Sequence, residues 1–256
     1  MKIFYDGEAK QVNVLDERFY QSQKLSGIYF PGVTTVLEAY YKGYGFYEWL
    51  KQVGFNADEI LKRASEEGSL IHNMIYDYLS GIEINWLDKD GKANYELKIW
   101  QMFCKFVEFH TMFKPEKIST EFSMVSENLR FGGTVDYICR LNNKIYLIDY
   151  KSSNYLHKTH ELQIAAYAMM WNELNPEYKI ERTAILWLKA LTRGADKKGI
   201  AIQGKGWQLK EFDRHYEEAF KLFQHTQAIW EEENPNYKPK NLIYPASFKI
   251  EKQNEK

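Results

Sequence analysis

Cysteine is nearly absent from this chain of 256 residues: Cys104 and Cys139 stand far apart, without CxxC spacing. That excludes a disulfide framework and a four-cysteine iron–sulfur cluster, leaves too few thiolates for a cysteine-rich zinc site, and fits a reducing compartment. Excess charge of either sign is also missing. The formal net charge is −1, so the field of the whole molecule announces no polyanionic partner, and any electrostatic reading must be local. No apolar run approaches the length of a membrane span. The start, MKIFYDGEAKQ, is too polar and acidic for a signal or transit peptide, so a cytoplasmic protein with no membrane partner is expected. No internal repeat or low-complexity segment is visible. Aromatic residues, in contrast, make up 16% of the chain, enough for a sizeable core.

Hydrophobic periodicity predicts an α/β protein. Residues 1–30 read as short strands and loops. Thr34 or Thr35 is placed to cap a helix toward Leu50, interrupted near Gly43 and Gly45. A helical stripe runs through Ile60, Ala64, Ile71, Ile75 and Leu79 and stops at Gly81; a second runs from Tyr95 to Phe113. Strands are expected at 118–126, 131–141 and 144–151, then a helix at 160–173, strands at 181–191 and 206–212, and a last helix, capped by Asp213, to Glu233. That order suits a mixed sheet flanked by helices. One domain is expected: a mainly helical cap over 28–113, a core over 114–212 and a C-terminal helix over 213–233.

The segment GGTVDYICRLNNKIYLIDYKSS, residues 132–153, is the most informative. A two-residue loop at Asn142-Asn143 would set 141 opposite 144 and 136 opposite 149. Asp136 and Asp149 then face each other across two apolar strands, an arrangement that destabilises a hairpin. Lys151 lies on the face of Asp149. A divalent cation between the acids would remove their repulsion. Outside this hairpin stand His72 on the 57–79 helix, Glu121 at a strand start, and Gln163 with Tyr167 on one face of the following helix.

These pieces resemble the PD-(D/E)XK nuclease superfamily, in particular its RecB-like branch: Gly68 with His72, Gly133 with Asp136, Asp149 with Lys151, and Gln163 with Tyr167, in that order. The strings PGVTTVLEAY at 31–40, Tyr47-Glu48-Trp49 and EEGSLIH extend the likeness to the mitochondrial genome maintenance exonuclease and its phage and bacterial relatives. Two positions depart from the pattern: Asn73 replaces an acid that often follows the histidine, and Gly32 replaces a serine.

The resemblance implies a restriction-endonuclease-like core and a Mg²⁺- or Mn²⁺-dependent deoxyribonuclease, an exonuclease on single-stranded ends or flaps in replication, recombination or repair. Asp136, Asp149, His72, the Tyr150 backbone carbonyl and Glu121 would hold the ion; Lys151, Gln163 and Tyr167 would serve catalysis. Ser152 and Ser153 would meet a phosphate. The alternatives are a structure-specific endonuclease on the same fold and a binding partner with a vestigial site. A monomer is favoured.

Between Lys189 and Lys210 lie Arg193, Lys197, Lys198 and Lys205 among four glycines. This stretch reads equally as a solvated hairpin or as a basic flap over a phosphate backbone. Trp207 is open to stacking a base or to core packing. The same two readings apply to the aromatic cluster of Tyr40, Tyr41, Tyr44 and Phe46.

Overall fold

The computed structural model describes residues 3–6, 9–14, 17–22, 24–25, 27–188, 206–239 and 249. It is an α/β structure with two sheets. Strands β1 (Ile3–Asp6), β2 (Ala9–Val14), β3 (Glu17–Gln21) and β4 (Tyr29–Pro31) form an antiparallel meander. A short helix α1 (Val33–Val36) follows, then α2 (Tyr44–Val53), α3 (Ala57–Leu79) and α4 (Leu97–Phe113). The central sheet has the order β5 (Glu116–Ser126), β6 (Phe131–Leu141), β7 (Lys144–Lys151), β8 (Arg182–Trp187) and β9 (Gln208–Glu211). β7 and β8 are parallel, joined by the crossover helix α5 (Lys158–Leu174); the other neighbours are antiparallel. Helix α6 (Tyr216–Glu233) closes the described core.

Each face of the central sheet has its own core. One packs β6 and β7 residues such as Phe131, Val135 and Leu147 against α1, α5 and α6. The other packs Tyr137, Cys139, Ile148 and Tyr150 against Ile71, Met74 and Ile75 of α3 and Phe103 and Phe106 of α4. Helix α5 is buried over most of its circumference, and Ala165, Ala166 and Ala168 keep it slim enough to pass between sheet and α6.

Local chemistry explains several boundaries. Gly81 ends α3 at φ 82°, with Ile82 N–H donating to Asp77 O at 2.9 Å, the closure of a left-handed C-terminal cap. Asn142 and Asn143 both have positive φ (49° and 61°), as a two-residue type I′ hairpin requires. The pairing runs from Leu141↔Lys144 to Tyr137↔Ile148, the register that a two-residue loop predicts.

Other expectations need correction. α6 starts at Tyr216, with His215 and not Asp213 before it. Its entry is set by tertiary bonds: the Tyr216 hydroxyl donates to Ile180 O and accepts from Asn172. No threonine caps α1. Gly32 precedes it, tied by a bridge to Gly132, and the helix gives way after Val36 to a 3-10 turn. The first half of the α3 stripe is solvent-facing: Ile60 and Ala64 are exposed, and along the stripe burial begins at Ile71.

Candidate active site

β6 carries the centre of the site, and its alternation breaks there. Phe131 and Val135 face the α5-side core, whereas Tyr137, Cys139 and Leu141 face the α3/α4-side core. All five are odd-numbered, and an unbroken strand would send them to one face. The break falls at Asp136. On β5, the partner pairs skip from Thr120↔Tyr137 to Phe122↔Val135, and the skipped Glu121 is left-handed, at φ 47°. A left-handed glutamate is strained backbone. Here it coincides with the point where the sheet turns two acids toward α3.

His72 meets them from α3. Its Nδ1 lies 3.2 Å from Glu121 Oε1 and 3.4 Å from Asp136 Oδ1, and its ring rests edge-on against Tyr150 at 5.6 Å. The other Asp136 oxygen accepts the Tyr150 backbone N–H at 2.7 Å. Donor atoms of His72, Glu121 and Asp136 all lie within 4.8 Å of one another. Asp149 is 1% exposed. The Lys151 ammonium lies 2.6 Å from its Oδ2, and its Oδ1 has no hydrogen-bond partner among the described residues. The β6–β7 ladder stops at Tyr137↔Ile148, one pair short of Asp136 and Asp149. Their carboxylates still act on each other electrostatically.

The charges are interdependent. Burial alone would lower the His72 pKa, but Asp136 and Glu121 outweigh it and hold the imidazole well above its usual range. Burial works to raise Asp136; the His72 charge, Lys151 and the Tyr150 N–H prevail and keep it below the usual carboxylate value. Glu121 is raised, chiefly by burial. Burial, opposed by Lys151 and reinforced by Asp136, pushes Asp149 up to about 6. Two carboxylates and an imidazole converging on one point, beside a buried carboxylate with an unmatched oxygen, suit a hard divalent ion with mixed oxygen and nitrogen ligands.

A model of the PD-(D/E)XK nuclease superfamily matches residues 35–238. The chain belongs to that superfamily. Its members are divalent-metal-dependent nucleases, and the chain's five-stranded mixed sheet flanked by helices is the corresponding core. No curated protein matches the chain. Among solved structures it is similar to the crystal structure of SSO0001, at 13% identity over 74% of this chain and 81% of that one, with a TM-score of 0.26.

In this PD-(D/E)XK nuclease the GxxD glycine and the QxxxY tyrosine interlock. Tyr167 is 5% exposed, and its ring occupies the space a side chain at Gly133 would need: a Cβ there would lie 2.3 Å from Cε1. Gln163 Nε2 donates to the Tyr167 hydroxyl at 3.3 Å. Gly133→Ala is therefore expected to cost about 1–3 kcal/mol by overpacking and to lower the melting temperature by several degrees, measured by circular dichroism. An unchanged melting curve would refute the interlock.

Gly132 is the counterpart on the other side. A Cβ there would come within 2.2 Å of the buried Tyr20 ring, which docks the N-terminal meander onto β6. Tyr20 also hydrogen-bonds Thr134. Neither residue stood out in the sequence, although two adjacent glycines in a buried strand signal two close approaches.

The remaining expected residues are scattered. The Ser152 hydroxyl lies near Gly68 of α3, 3.6 Å from where a Cβ would sit. The Ser153 hydroxyl donates to Tyr155 O, and its carbonyl accepts from the Trp187 indole. Trp207 packs edge-on against Phe109 and Phe113 of α4. Arg193, Lys197, Lys198 and Lys205 lie outside the described residues. The sequence reading also passed over the first turn of α5. There Glu161, buried, is held between Lys158 at 2.5 Å and Arg214 at 3.0 Å, and burial with Lys151 and His157 nearby pushes His160 down to about 3.

Proposed function

We propose that the protein is a RecB-like deoxyribonuclease using Mg²⁺ or Mn²⁺, acting exonucleolytically on single-stranded DNA ends or flaps during phage or bacterial replication, recombination or repair. The observation that carries the nuclease reading is the convergence of His72, Glu121 and Asp136 beside the Asp149–Lys151 ion pair. The end-acting reading is supported by motif order, including the N-terminal strings at 31–40 and 66–72.

His72, Glu121 and Asp136 would hold the ion, with Asp149 and the Tyr150 carbonyl completing its surroundings. The ion supplies Lewis acidity toward a phosphodiester oxygen when bound. The imidazole favours Mn²⁺ over Mg²⁺. Lys151 serves as an oriented cation. It aligns the attacking water and offsets charge on the phosphate; as the water oxygen bonds to phosphorus the ester P–O bond breaks, the water's proton passes to solvent and the departing oxygen takes one from solvent. Asp149 aims Lys151, and Gln163 with Tyr167, buried behind Gly133, supports the strand that carries Asp136.

The test uses labelled linear and circular DNA, single- and double-stranded, with Mn²⁺, Mg²⁺ or EDTA. Degradation of linear single strands from an end, only with metal, is expected. Cleavage of circles would replace the exonuclease by an endonuclease. No cleavage with any ion would leave a binding protein with an inactive site.

A further inference from the structure

Helix α2 buries none of its ten residues against the described part of the chain. It is bracketed by Gly43 at φ 81° and Gly54 at φ 56°, neither with other atoms near its missing side chain. Yet its surface is aromatic. Tyr44 is 72% exposed, Tyr41 just before it 68%, and Phe55 just after it fully exposed. The rings form tilted pairs: Tyr41 with Tyr47 at 6.2 Å and 35°, both exposed, and Phe46 with Trp49 at 5.8 Å and 33°, both half-buried. Lys42 stands 5.1 Å from the Phe46 ring, and Lys51 neutralises Glu48 at 2.7 Å. Such a surface costs solubility unless something covers it.

We propose that α2 and the flanking Tyr41 form a stacking platform for the unpaired bases of a single-stranded nucleic acid. The inference rests on reading the substrate as a nucleic-acid strand and assigns where that strand docks. Three features favour this occupant. The exposed side chains are flat rings with few aliphatics, and every base offers a π-face to such rings. The charge beside them is Lys42, complementary to a phosphate backbone and suited to cation–π support. α2 also leads, through the 3-10 turn Gly54–Asn56, into α3, which carries His72. In a duplex the base faces are covered by their neighbours, so the platform discriminates for single strands.

The test is fluorescence anisotropy in EDTA, where no cleavage occurs. The full chain is titrated with a short oligothymidylate and with an abasic deoxyribose-phosphate strand of equal length. The wild type is expected to prefer oligothymidylate. Tyr41→Ala and Tyr44→Ala are expected to weaken oligothymidylate binding about 5- to 150-fold per stacked base lost and to erase the preference, with unchanged circular dichroism because both rings are exposed. Equal wild-type binding of the two strands, or unchanged affinity in the double variant, would overturn the platform. A wild-type dimer that the double variant converts to monomer would also overturn it, assigning the face to a second copy. Failure of the nuclease reading shows separately, as absence of Mn²⁺-dependent cleavage by the wild type, and would leave base-dependent binding intact.

Discussion

Lys151→Ala is expected to reduce cleavage by about 10²–10⁴-fold while binding of DNA in Ca²⁺ or EDTA changes little. Lys151 is the cation that touches Asp149, at 2.6 Å, and it keeps 18% of its side-chain surface exposed, so it can meet a substrate. The loss is catalytic for a reason visible in the apo electrostatics. Removing one partner of a buried ion pair normally leaves an uncompensated charge. Asp149, however, already has its pKa pushed up to about 6, and Lys151 is what opposes a further rise. Without Lys151 the carboxyl takes up a proton near neutral pH, the buried charge disappears, and the fold survives. Single-turnover cleavage, anisotropy and thermal melting on one preparation separate these effects. Retained activity would remove Lys151 from the chemistry; parallel loss of binding and structure would make its role structural.

Asp136→Asn is expected to abolish cleavage and weaken Mn²⁺ binding by at least about 100-fold, measured by calorimetry. Altering groups that merely orient ligands costs about 10–100-fold, and Asp136 sits at the hub itself. One oxygen faces His72 at 3.4 Å and the other accepts the Tyr150 N–H at 2.7 Å. Asparagine keeps an acceptor for that N–H, so β7 stays in place, but the charge is gone. Asp136 is the main group raising His72 against its burial. The His72 pKa should therefore fall toward, or below, its ordinary value in the metal-free variant, a shift that NMR titration of the imidazole reads without any metal or substrate. Unchanged Mn²⁺ affinity would place the ion elsewhere. An unchanged His72 titration would deny the contact between α3 and β6.

The two variants probe parts of the site that were unequally legible. Asn142-Asn143, between two apolar runs, sets a two-residue hairpin, and with it the register of β6 on β7 and the placing of Asp149 and Lys151 on one face. These are local consequences of turn geometry and of the two-residue strand period. The long helices, the crossover helix and the stop at Gly81 were readable for the same reason: apolar spacing and glycine caps are short-range signals. The boundaries that were misread, at α1 and α6, are set by contacts distant in sequence. Gly32 bridges to Gly132, and the Tyr216 hydroxyl reaches Ile180 and Asn172.

The composition of the site divides in the same way. The sequence singles out Asp136, Asp149 and Lys151 by residue type and register, and His72, Gln163 and Tyr167 through the family likeness. It does not single out which of them converge. Strand alternation treats Asp136 and Asp149 as a facing pair. In the fold, the break at Asp136 and the left-handed turn of Glu121 direct Asp136 toward His72, while Asp149 pairs with Lys151. The hairpin, its register and the placing of Asp149 and Lys151 on one face follow from residues within a few positions of the Asn142-Asn143 turn. No short-range signal foretells that α3 and β5 close on Asp136, that Tyr167 locks Gly133 or that Tyr44 and Tyr47 of α2 stay exposed. Each of these depends on where a remote element packs, and no local period encodes that.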